Sequence, residues 1–216
     1  MNFAYGSKEI FRNVNLEFRD GDFVFIVGES GIGKTTFLKL LYFDLFPKKG
    51  KIVFEDYESS TIDKTEIPVL RRKLGIVFQD FKLLHDRNVF ENIALPLYIT
   101  RNRKEFIRSK VFETASNLGL VNLLNKMPYD LSGGEQQRVA IARAIVNNPS
   151  VFIADEPTGN LDPFISHDII KQIADINNKG TTIVVATHNF DIVKKFSDKR
   201  ILQIKEGQLF DVRVKT

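Results

Sequence analysis

Two glycine-containing stretches of the sequence have the composition of phosphate-binding loops. The first, GESGIGKTT, fits the spacing G-x-x-x-x-G-K-[ST], in which glycines let backbone N–H groups converge on phosphate oxygens. Its lysine is expected to reach the β- and γ-phosphates of a nucleotide, and the hydroxyl of Thr35 to hold Mg²⁺. The residues of this loop predicted to bind the nucleotide are Gly28, Glu29, Ser30, Gly31, Ile32, Gly33, Lys34, Thr35 and Thr36.

The second stretch, LSGGEQQR, lies far downstream and is predicted to open a helix. Ser132 is of a residue type that favours the N-cap position, and the N-terminus of a helix attracts anions because its first backbone N–H groups are free. One chain of 216 residues therefore carries two phosphate-binding signals.

Polar residues follow three apolar segments that are predicted to be strands of one parallel sheet. In VFIADEP, Asp155 and Glu156 end the apolar strand, at the sheet edge expected to lie beside the phosphate loop. Asp155 is expected to bind Mg²⁺ through water, and Glu156 to orient and deprotonate the attacking water as a general base. Gln79 offers an amide oxygen to Mg²⁺ or water. His188 could contact a γ-phosphate, although a structural role for this histidine is an open alternative.

Hydrophobic patterning predicts the elements that position these residues. Four apolar segments without alternation read as central parallel strands covered on both faces: residues 23–27, 76–78, 151–154 and 183–186. Residues 14–18 alternate and predict a half-exposed antiparallel strand before a turn at Asp20-Gly21. The chain closes with a predicted hairpin that turns at Glu206-Gly207.

Helices are predicted between these strands. One follows the phosphate loop from about Lys34 to Phe46, and another starts behind Ser132 and runs to about Asn147. Between them, Ile107, Val111, Ala115 and Leu118 fall on one helical face, and Gly119 is a suitable terminator.

The bulk composition is that of an ordinary globular protein, with 43% hydrophobic and 27% charged residues. The longest apolar stretch, IALPLYI, contains a proline and is much shorter than the roughly 20 residues that span a bilayer. No membrane-spanning helix is predicted, and the absence of cysteine and of a signal peptide favours a cytoplasmic location. The net charge of +4 fits solvated helix faces, a nucleic-acid patch or a nearby anionic membrane, and does not choose among them.

The motifs follow one another in a fixed order: GESGIGKTT, Gln79, LSGGEQQR, VFIADEP, Leu161-Asp162 and His188. In this set and order the sequence resembles the ATP-binding-cassette (ABC) ATPases over essentially its whole length. The resemblance implies an α/β fold with a P-loop NTPase (RecA-like) core, an N-terminal antiparallel β subdomain and an inserted helical subdomain that bears the signature motif LSGGEQQR. We predict one domain over residues 1–216, with the core in 1–85 and 141–216 and the helical subdomain in about 86–140.

The same resemblance gives the second phosphate signal a role. In this family two copies pair head to tail on ATP, and the signature motif of one copy covers the γ-phosphate held by the other. This implies a homodimer in which Asp162 connects the two sites across the interface and Tyr5 stacks on adenine. The signature residues implied in nucleotide contact are Ser132, Gly133, Gly134 and Gln137.

Family members without a membrane domain transmit their motion to a membrane partner, so an integral membrane partner and a peripheral location on the cytoplasmic face of the inner membrane are implied. The receiving groove would involve residues 78–97, with five apolar candidates: Phe81, Leu83, Leu84, Val89 and Phe90. Subdomain core is the alternative reading for these five.

Residues 67–97 and the stretches LSGGEQQRVAIARA and ADEPTGNLD are similar to the family branch that serves bacterial cell division and controls cell-wall hydrolysis. The alternative is a branch for lipoprotein release or macrolide export, which shares ADEPTGNLD but less of QDFKLLHDR. A cassette protein that acts on nucleic acid usually carries two cassettes in one chain or a long coiled-coil insertion. The sequence shows neither feature, so no nucleic acid is expected as a partner. Intact Lys34, Glu156 and His188 disfavour a binding module without hydrolysis.

Overall fold

A six-stranded mixed sheet forms the centre of the fold, in the order β10-β9-β3-β8-β7-β6. The computed structural model describes residues 1–159 and 161–212. The strands are β1 Phe3–Tyr5, β2 Lys8–Phe11, β3 Phe23–Val27, β4 Val53–Phe54, β5 Tyr57–Glu58, β6 Leu74–Val77, β7 Val151–Asp155, β8 Thr182–Thr187, β9 Arg200–Lys205 and β10 Gln208–Val212.

Strands β6, β7, β8, β3 and β9 are parallel, whereas β10 pairs with β9 as an antiparallel edge. The four predicted central strands are thereby confirmed, as is the terminal hairpin. Its turn residues Glu206 and Gly207 both have positive φ, 49° and 74°, which is the conformation of a type I′ turn. β1 pairs with β2, and β4 with β5, in two small antiparallel sheets near the start of the chain.

Seven α-helices are described, together with short 3₁₀ turns at Val121–Leu123 and Pro128–Asp130. The helices are α1 Lys34–Leu41, α2 Ile67–Arg71, α3 Val89–Ile99, α4 Lys104–Asn117, α5 Gly133–Ile145, α6 Pro163–Asn177 and α7 Phe190–Lys195. The predicted face of α4 is buried, and Gly119 follows that helix with a φ of 67°. The predicted subdomain boundary at residue 140 falls inside α5, which packs on both α3 and β6.

The central sheet is covered on both faces, as its unbroken apolar strands predict. On β3, Phe25 and Val27 belong to the cluster that includes α3 to α6, while Val24 and Ile26 belong to the cluster that includes α1 and the N-terminal strands. All five residues of β3 are buried. The carboxyl ends of β3, β6, β7 and β8 therefore emerge at one edge between the two layers, where the candidate site lies.

Two predicted elements differ in the structure. The helix behind the phosphate loop ends at Leu41 rather than Phe46, because Phe43 adopts a left-handed φ of 57°. Residues 14–18 show the predicted alternation of buried and exposed side chains but pair with no strand among the described residues, so the strand prediction was wrong.

Within residues 1–159 and 161–212, no helix combines the length and the apolar character needed to cross a lipid bilayer.

Candidate nucleotide-binding and hydrolysis site

The phosphate loop joins the carboxyl end of β3 to the first turn of α1. Gly31 and Gly33 have φ values of 77° and 117°, which residues with a side chain rarely adopt. Gly28 is required for a different reason, since a Cβ there would lie 2.8 Å from Cγ2 of Ile32. The loop thus presents backbone N–H groups at the start of α1, where the helix dipole also favours an anion.

Lys34 folds back over this loop. Its Nζ donates to the carbonyl oxygens of Gly28 at 2.9 Å and Glu29 at 3.1 Å, and it lies 3.3 Å from Oε1 of Glu156. Both side chains are nearly inaccessible, at 7% and 8% exposure. The lysine and the predicted general base therefore occupy one desolvated site, where a charge pair interacts more strongly than at the surface.

Glu156 also contacts the predicted histidine. Nδ1 of His188 lies 2.9 Å from Oε1 of Glu156, and the backbone N–H of His188 donates to Oε2 at 3.2 Å. Glu156 itself has a left-handed φ of 47°, an uncommon conformation for a residue with a side chain, of the kind that clusters at functional sites. The ends of β7 and β8 thus bring Glu156 and His188 together as the sequence predicts.

Asp155 ends β7 at the same edge and lines one cavity together with Thr35. Burial raises the pKa of the Asp155 carboxyl above its ordinary value, and the nearby Thr35 hydroxyl opposes this shift. Its Oδ1 atom is buried without a hydrogen-bond partner among the described residues. A hydroxyl beside an unpartnered carboxylate oxygen is a donor set that suits Mg²⁺, a hard cation that prefers oxygen ligands.

Gln79 lies two positions beyond the last residue of β6 and is exposed. The preceding strand pairs with β7 in parallel, so Gln79 emerges at the same edge as Asp155. Tyr5, at 46% exposure, ends β1. The adjoining strand β2 lies so close to the phosphate loop that a Cβ on Gly33 would be 3.0 Å from Cγ2 of Ile10.

The signature motif forms the N-terminus of α5 as predicted. Ser132 is the N-cap, and its side chain and that of Glu135 form a reciprocal capping box. Hydrogen bonds from Ser132 to the Glu135 carboxylate lower the pKa of Glu135 below its ordinary value. Ser132 and Gly133 remain exposed and present this helix end to solvent.

The signature helix packs against the start of α6. A Cβ on Gly134 would lie 2.8 Å from Cγ2 of Ile165, so only glycine fits this contact. Asp162 caps α6 by accepting from the backbone N–H groups of Phe164 and Ile165. Ser132 and Asp162, which the family resemblance assigns to one interface, therefore lie on adjoining helix ends.

The structure places some predicted residues differently. The side chain of Gln137 is fully buried, with no hydrogen-bond partner for its amide among the described residues, so it does not reach the exposed face of the signature motif. Among the five apolar candidates for partner contact, Leu83 and Val89 belong to the buried core. Leu84 is exposed, and Phe81 and Phe90 are half-buried.

Sequence reasoning missed three residues near the site. Phe164, two residues after Asp162, has 86% of its side chain exposed. Asn92 is fully buried inside α3, and Arg143 of α5 bonds to the segment that follows Gln79. Asn92 could have been found from the sequence, since it is a polar residue that interrupts an apolar helical run. Arg143 could not, because its bonding partners lie far away in the sequence.

A phosphate loop, a buried Lys34–Glu156 pair and a histidine at the carboxyl edge of a parallel sheet define a phosphate-loop ATPase. Residues 11–159 match the family model described as ABC transporter, and the chain belongs to this family of ATP-binding, ATP-hydrolysing cassettes.

Relatives and solved structures agree with this assignment. The chain is 48% identical over 194 residues to the cell division ATP-binding protein FtsE of Bacillus subtilis, covering 90% of this chain and 85% of that protein. It is 40% identical over 204 residues to FtsE of Escherichia coli K12, covering 94% and 91%. A dimeric ATP-binding cassette solved in a post-hydrolysis state with ADP and inorganic phosphate has a TM-score of 0.86 at 34% identity, covering 100% of this chain and 96% of that one.

Proposed function

We propose that this chain is the ATPase subunit of a bacterial cell-division complex. In this proposal it dimerises head to tail on ATP and drives a conformational change in the membrane protein FtsX, which regulates cell-wall hydrolysis. The observation that carries the proposal is the convergence of Lys34, Glu156 and His188 at the phosphate loop, in a chain 40–48% identical to FtsE proteins over most of its length. The chain would act as a peripheral protein on the cytoplasmic face of the inner membrane.

The phosphate loop holds the nucleotide in this proposal. Backbone N–H groups from Gly28 to Thr36 bind the β- and γ-phosphates, and Lys34 exchanges part of its bonding to Glu156 for the γ-phosphate. Thr35 and Asp155, with help from Gln79, would hold Mg²⁺, which neutralises phosphate charge when it is bound. The unpartnered Oδ1 of Asp155 supports this donor set.

Glu156 orients and deprotonates the water that attacks the γ-phosphate. Nδ1 of His188 contacts the same Oε1 atom of Glu156 as Nζ of Lys34 does. It is therefore placed to hold the carboxylate and to contact the γ-phosphate. General-base assistance of this kind contributes roughly 10²- to 10⁴-fold to the rate.

The signature motif completes the site in a second copy. Ser132 and Gly133 are exposed at the N-terminus of α5, where free N–H groups and the helix dipole bind an anion. Contact with a γ-phosphate held by the other copy makes closure conditional on ATP, and hydrolysis removes the bridge. The dimeric solved cassette at 34% identity supports this arrangement.

The membrane partner would contact the segment after Gln79. Leu84 is the exposed apolar residue among the five sequence candidates, and Phe81 and Phe90 are half-buried. Movement of Gln79 at the nucleotide would thereby displace the surface that the partner contacts.

The experiment that tests this function is recovery of partners from native membranes. Glu156→Gln with ATP is used as bait, and the double variant Glu156→Gln/Ser132→Arg, which is expected to bind ATP without pairing, is the matched control. Enrichment of FtsX with the single variant supports the proposal. Enrichment of a permease for lipoprotein release or macrolide export contradicts the cell-division role and leaves the catalytic assignments in place.

A further inference from the structure

Arg143 holds the backbone of the segment that follows Gln79. Its Nη2 donates to the carbonyl oxygen of Phe81 at 2.7 Å, and its Nη1 donates to that of Lys82 at 2.7 Å. The guanidinium group is planar, so two of its N–H groups can bind two consecutive carbonyls at once. The side chain of Arg143 is half-buried, and this burial lowers its pKa from the ordinary value.

The backbone that Arg143 holds is strained. Phe81 and Lys82 have φ values of 58° and 48°, two consecutive left-handed residues that are not glycine. Such conformations cost free energy and persist only where surrounding contacts enforce them. The two charge-assisted bonds from Arg143 supply such contacts.

Asn92 fixes the far end of the same segment. It is fully buried, its Oδ1 accepts from the backbone N–H of Leu84 at 2.8 Å, and its Nδ2 lies 3.0 Å from the carbonyl oxygens of Leu84 and Arg87. Oδ1 of Asn92 also lies 3.5 Å from Nη1 of Arg143. The segment is therefore held between α3 and α5.

The helix that carries Arg143 is also the helix that carries the signature motif. Helix α5 begins at Gly133 and ends at Ile145, a span of roughly 18 Å at the usual rise per residue. One rigid element thus has the proposed contact to the γ-phosphate at one end and the bonds to the Gln79 segment near the other.

We propose that Arg143 is a positioning residue for ATP hydrolysis: it fixes the segment from Gln79 to Leu84 relative to the signature helix, so that the two nucleotide-contacting parts of one chain move together. The inference rests on the proposed function for its effect on the reaction. Its structural half, the tethering of the segment, is testable without ATP.

The structural half is tested by amide hydrogen exchange of residues 80–88. Loss of the bonds in Arg143→Met should accelerate exchange in this segment by about tenfold or more, because the strained turn is released. The sequence contains no tryptophan, so Leu84→Trp adds a single fluorescent reporter whose anisotropy should fall in the Arg143→Met background. Unchanged exchange and anisotropy would overturn the proposal.

The functional half is tested by separating ATP affinity from turnover. Arg143→Met should lower kcat roughly ten- to a hundredfold through mispositioned Gln79, while the Kd for ATP changes by less than about twofold, since Arg143 does not contact the nucleotide. Arg143→Lys retains the charge and can satisfy one carbonyl, so an intermediate kcat is expected. A parallel loss of ATP affinity and turnover in Arg143→Met would indicate general misfolding and overturn the positioning role.

Arg71 provides a matched control. It bonds to the carbonyl oxygens of Tyr42 and Phe43 at 3.1 and 3.0 Å, and Phe43 also has a left-handed φ. Arg71→Met thus removes the same kind of interaction from a different loop, and should lower stability without changing exchange in residues 80–88. Equal effects of the two variants on kcat would contradict a specific role for Arg143. Failure of the wild-type chain to hydrolyse ATP would refute the proposed function, while the exchange measurement would still decide whether Arg143 tethers the segment.

Discussion

Nζ of Lys34 lies 3.3 Å from Oε1 of Glu156, and both side chains are almost completely buried. A γ-phosphate that binds Lys34 competes with Glu156 for the same positive charge. We expect ATP to weaken this pair and to free the carboxylate for water, which ties activation of the general base to arrival of the γ-phosphate. His188, 2.9 Å from the same oxygen, would keep Glu156 in place during the exchange.

Replacement of Asp155 should raise the stability of the folded chain and abolish its ATPase activity. Burial raises the pKa of this carboxyl, so the folded chain binds its proton more tightly than the unfolded chain does. As pH rises above the ordinary pKa of 3.8, ionisation of the buried carboxyl therefore lowers the stability of the folded chain. Asp155→Asn should therefore stabilise the chain by about 1 kcal/mol at neutral pH without Mg²⁺, and abolish Mg²⁺-dependent hydrolysis.

Thermal unfolding with and without Mg²⁺ and ATP measures this effect. The exposed Asp175→Asn, on α6, is the control and should change neither quantity. A less stable Asp155→Asn variant, or one that retains Mg²⁺-dependent hydrolysis, would contradict the assigned role of Asp155.

A bulky charge at the signature motif should block pairing. Ser132→Arg places a long cation at the exposed end of α5 and should abolish ATP-dependent dimerisation, while ATP binding to the lone chain remains. The variant also loses the N-cap, which costs about 1 kcal/mol. Ser132→Asn keeps a capping side chain, and Ser116→Arg adds the same charge at an exposed position of α4. In light scattering, Ser116→Arg should form a dimer with ATP and remain a monomer without it. A dimer of Ser132→Arg in the presence of ATP would argue against the head-to-tail interface.

The exposed ring of Phe164 is expected to contribute to the same interface. It lies two residues after Asp162 on α6, next to the signature helix, and 86% of its side chain is accessible in the single chain. Phe164→Asp should weaken the ATP-dependent dimer by about tenfold or more, since burial of an aromatic ring stabilises interfaces strongly. Phe210→Asp, at a half-exposed position on β10, is the control. Equal dimer affinity of the two variants, measured by analytical ultracentrifugation, would refute this role.

The sheet could be predicted from the sequence because its strands are apolar without interruption, and the site because its polar residues follow those strands. The end of α1 could not be predicted from the sequence. Phe43 is held in a left-handed conformation next to carbonyls that bond with Arg71, a tertiary contact that no local pattern shows. Residues 14–18 have the alternation of a strand, but alternation does not reveal whether a pairing partner exists.

Gln137 shows the opposite case, since the information was present in the sequence. Gly134, Gln137 and Ile141 are spaced by three and four residues, so they share one face of α5, and all three are buried. Helical periodicity therefore places Gln137 on the packed face, whereas its position within the signature motif suggested contact with a nucleotide. Phe164 gave no such signal, because exposure of a single aromatic residue depends on the tertiary fold.

The pair between Arg200 and Asp211 predicts a measurable pH dependence. The two side chains bond through two atoms each, at 3.0 and 2.8 Å across β9 and β10, and these bonds hold the pKa of Asp211 below its ordinary value of 3.8. The lowered pKa means that the stabilisation is complete above pH 3.8 and is lost as pH falls through the lower folded value. Because Asp211 is 58% exposed, Asp211→Asn should cost only about 0.5 kcal/mol at pH 7.

Urea unfolding at pH 7 and pH 3 tests this prediction, with Asp191→Asn as the control for an exposed helix pair. The difference between Asp211→Asn and the wild-type chain should be smaller at pH 3 than at pH 7. A difference that grows on acidification would show that the sign is wrong.

One ATP site is proposed to be completed by two chains, and the association state of Glu156→Gln tests this by sedimentation velocity with ATP and with ADP. The variant keeps the volume of the side chain, removes the general base and leaves Lys34 free for the γ-phosphate. The expected result is a dimer with ATP, a monomer with ADP, and hydrolysis slowed by roughly 10²-fold or more. A variant that is saturated with ATP and remains a monomer both in the absence and in the presence of its membrane partner would refute completion of the site by two chains.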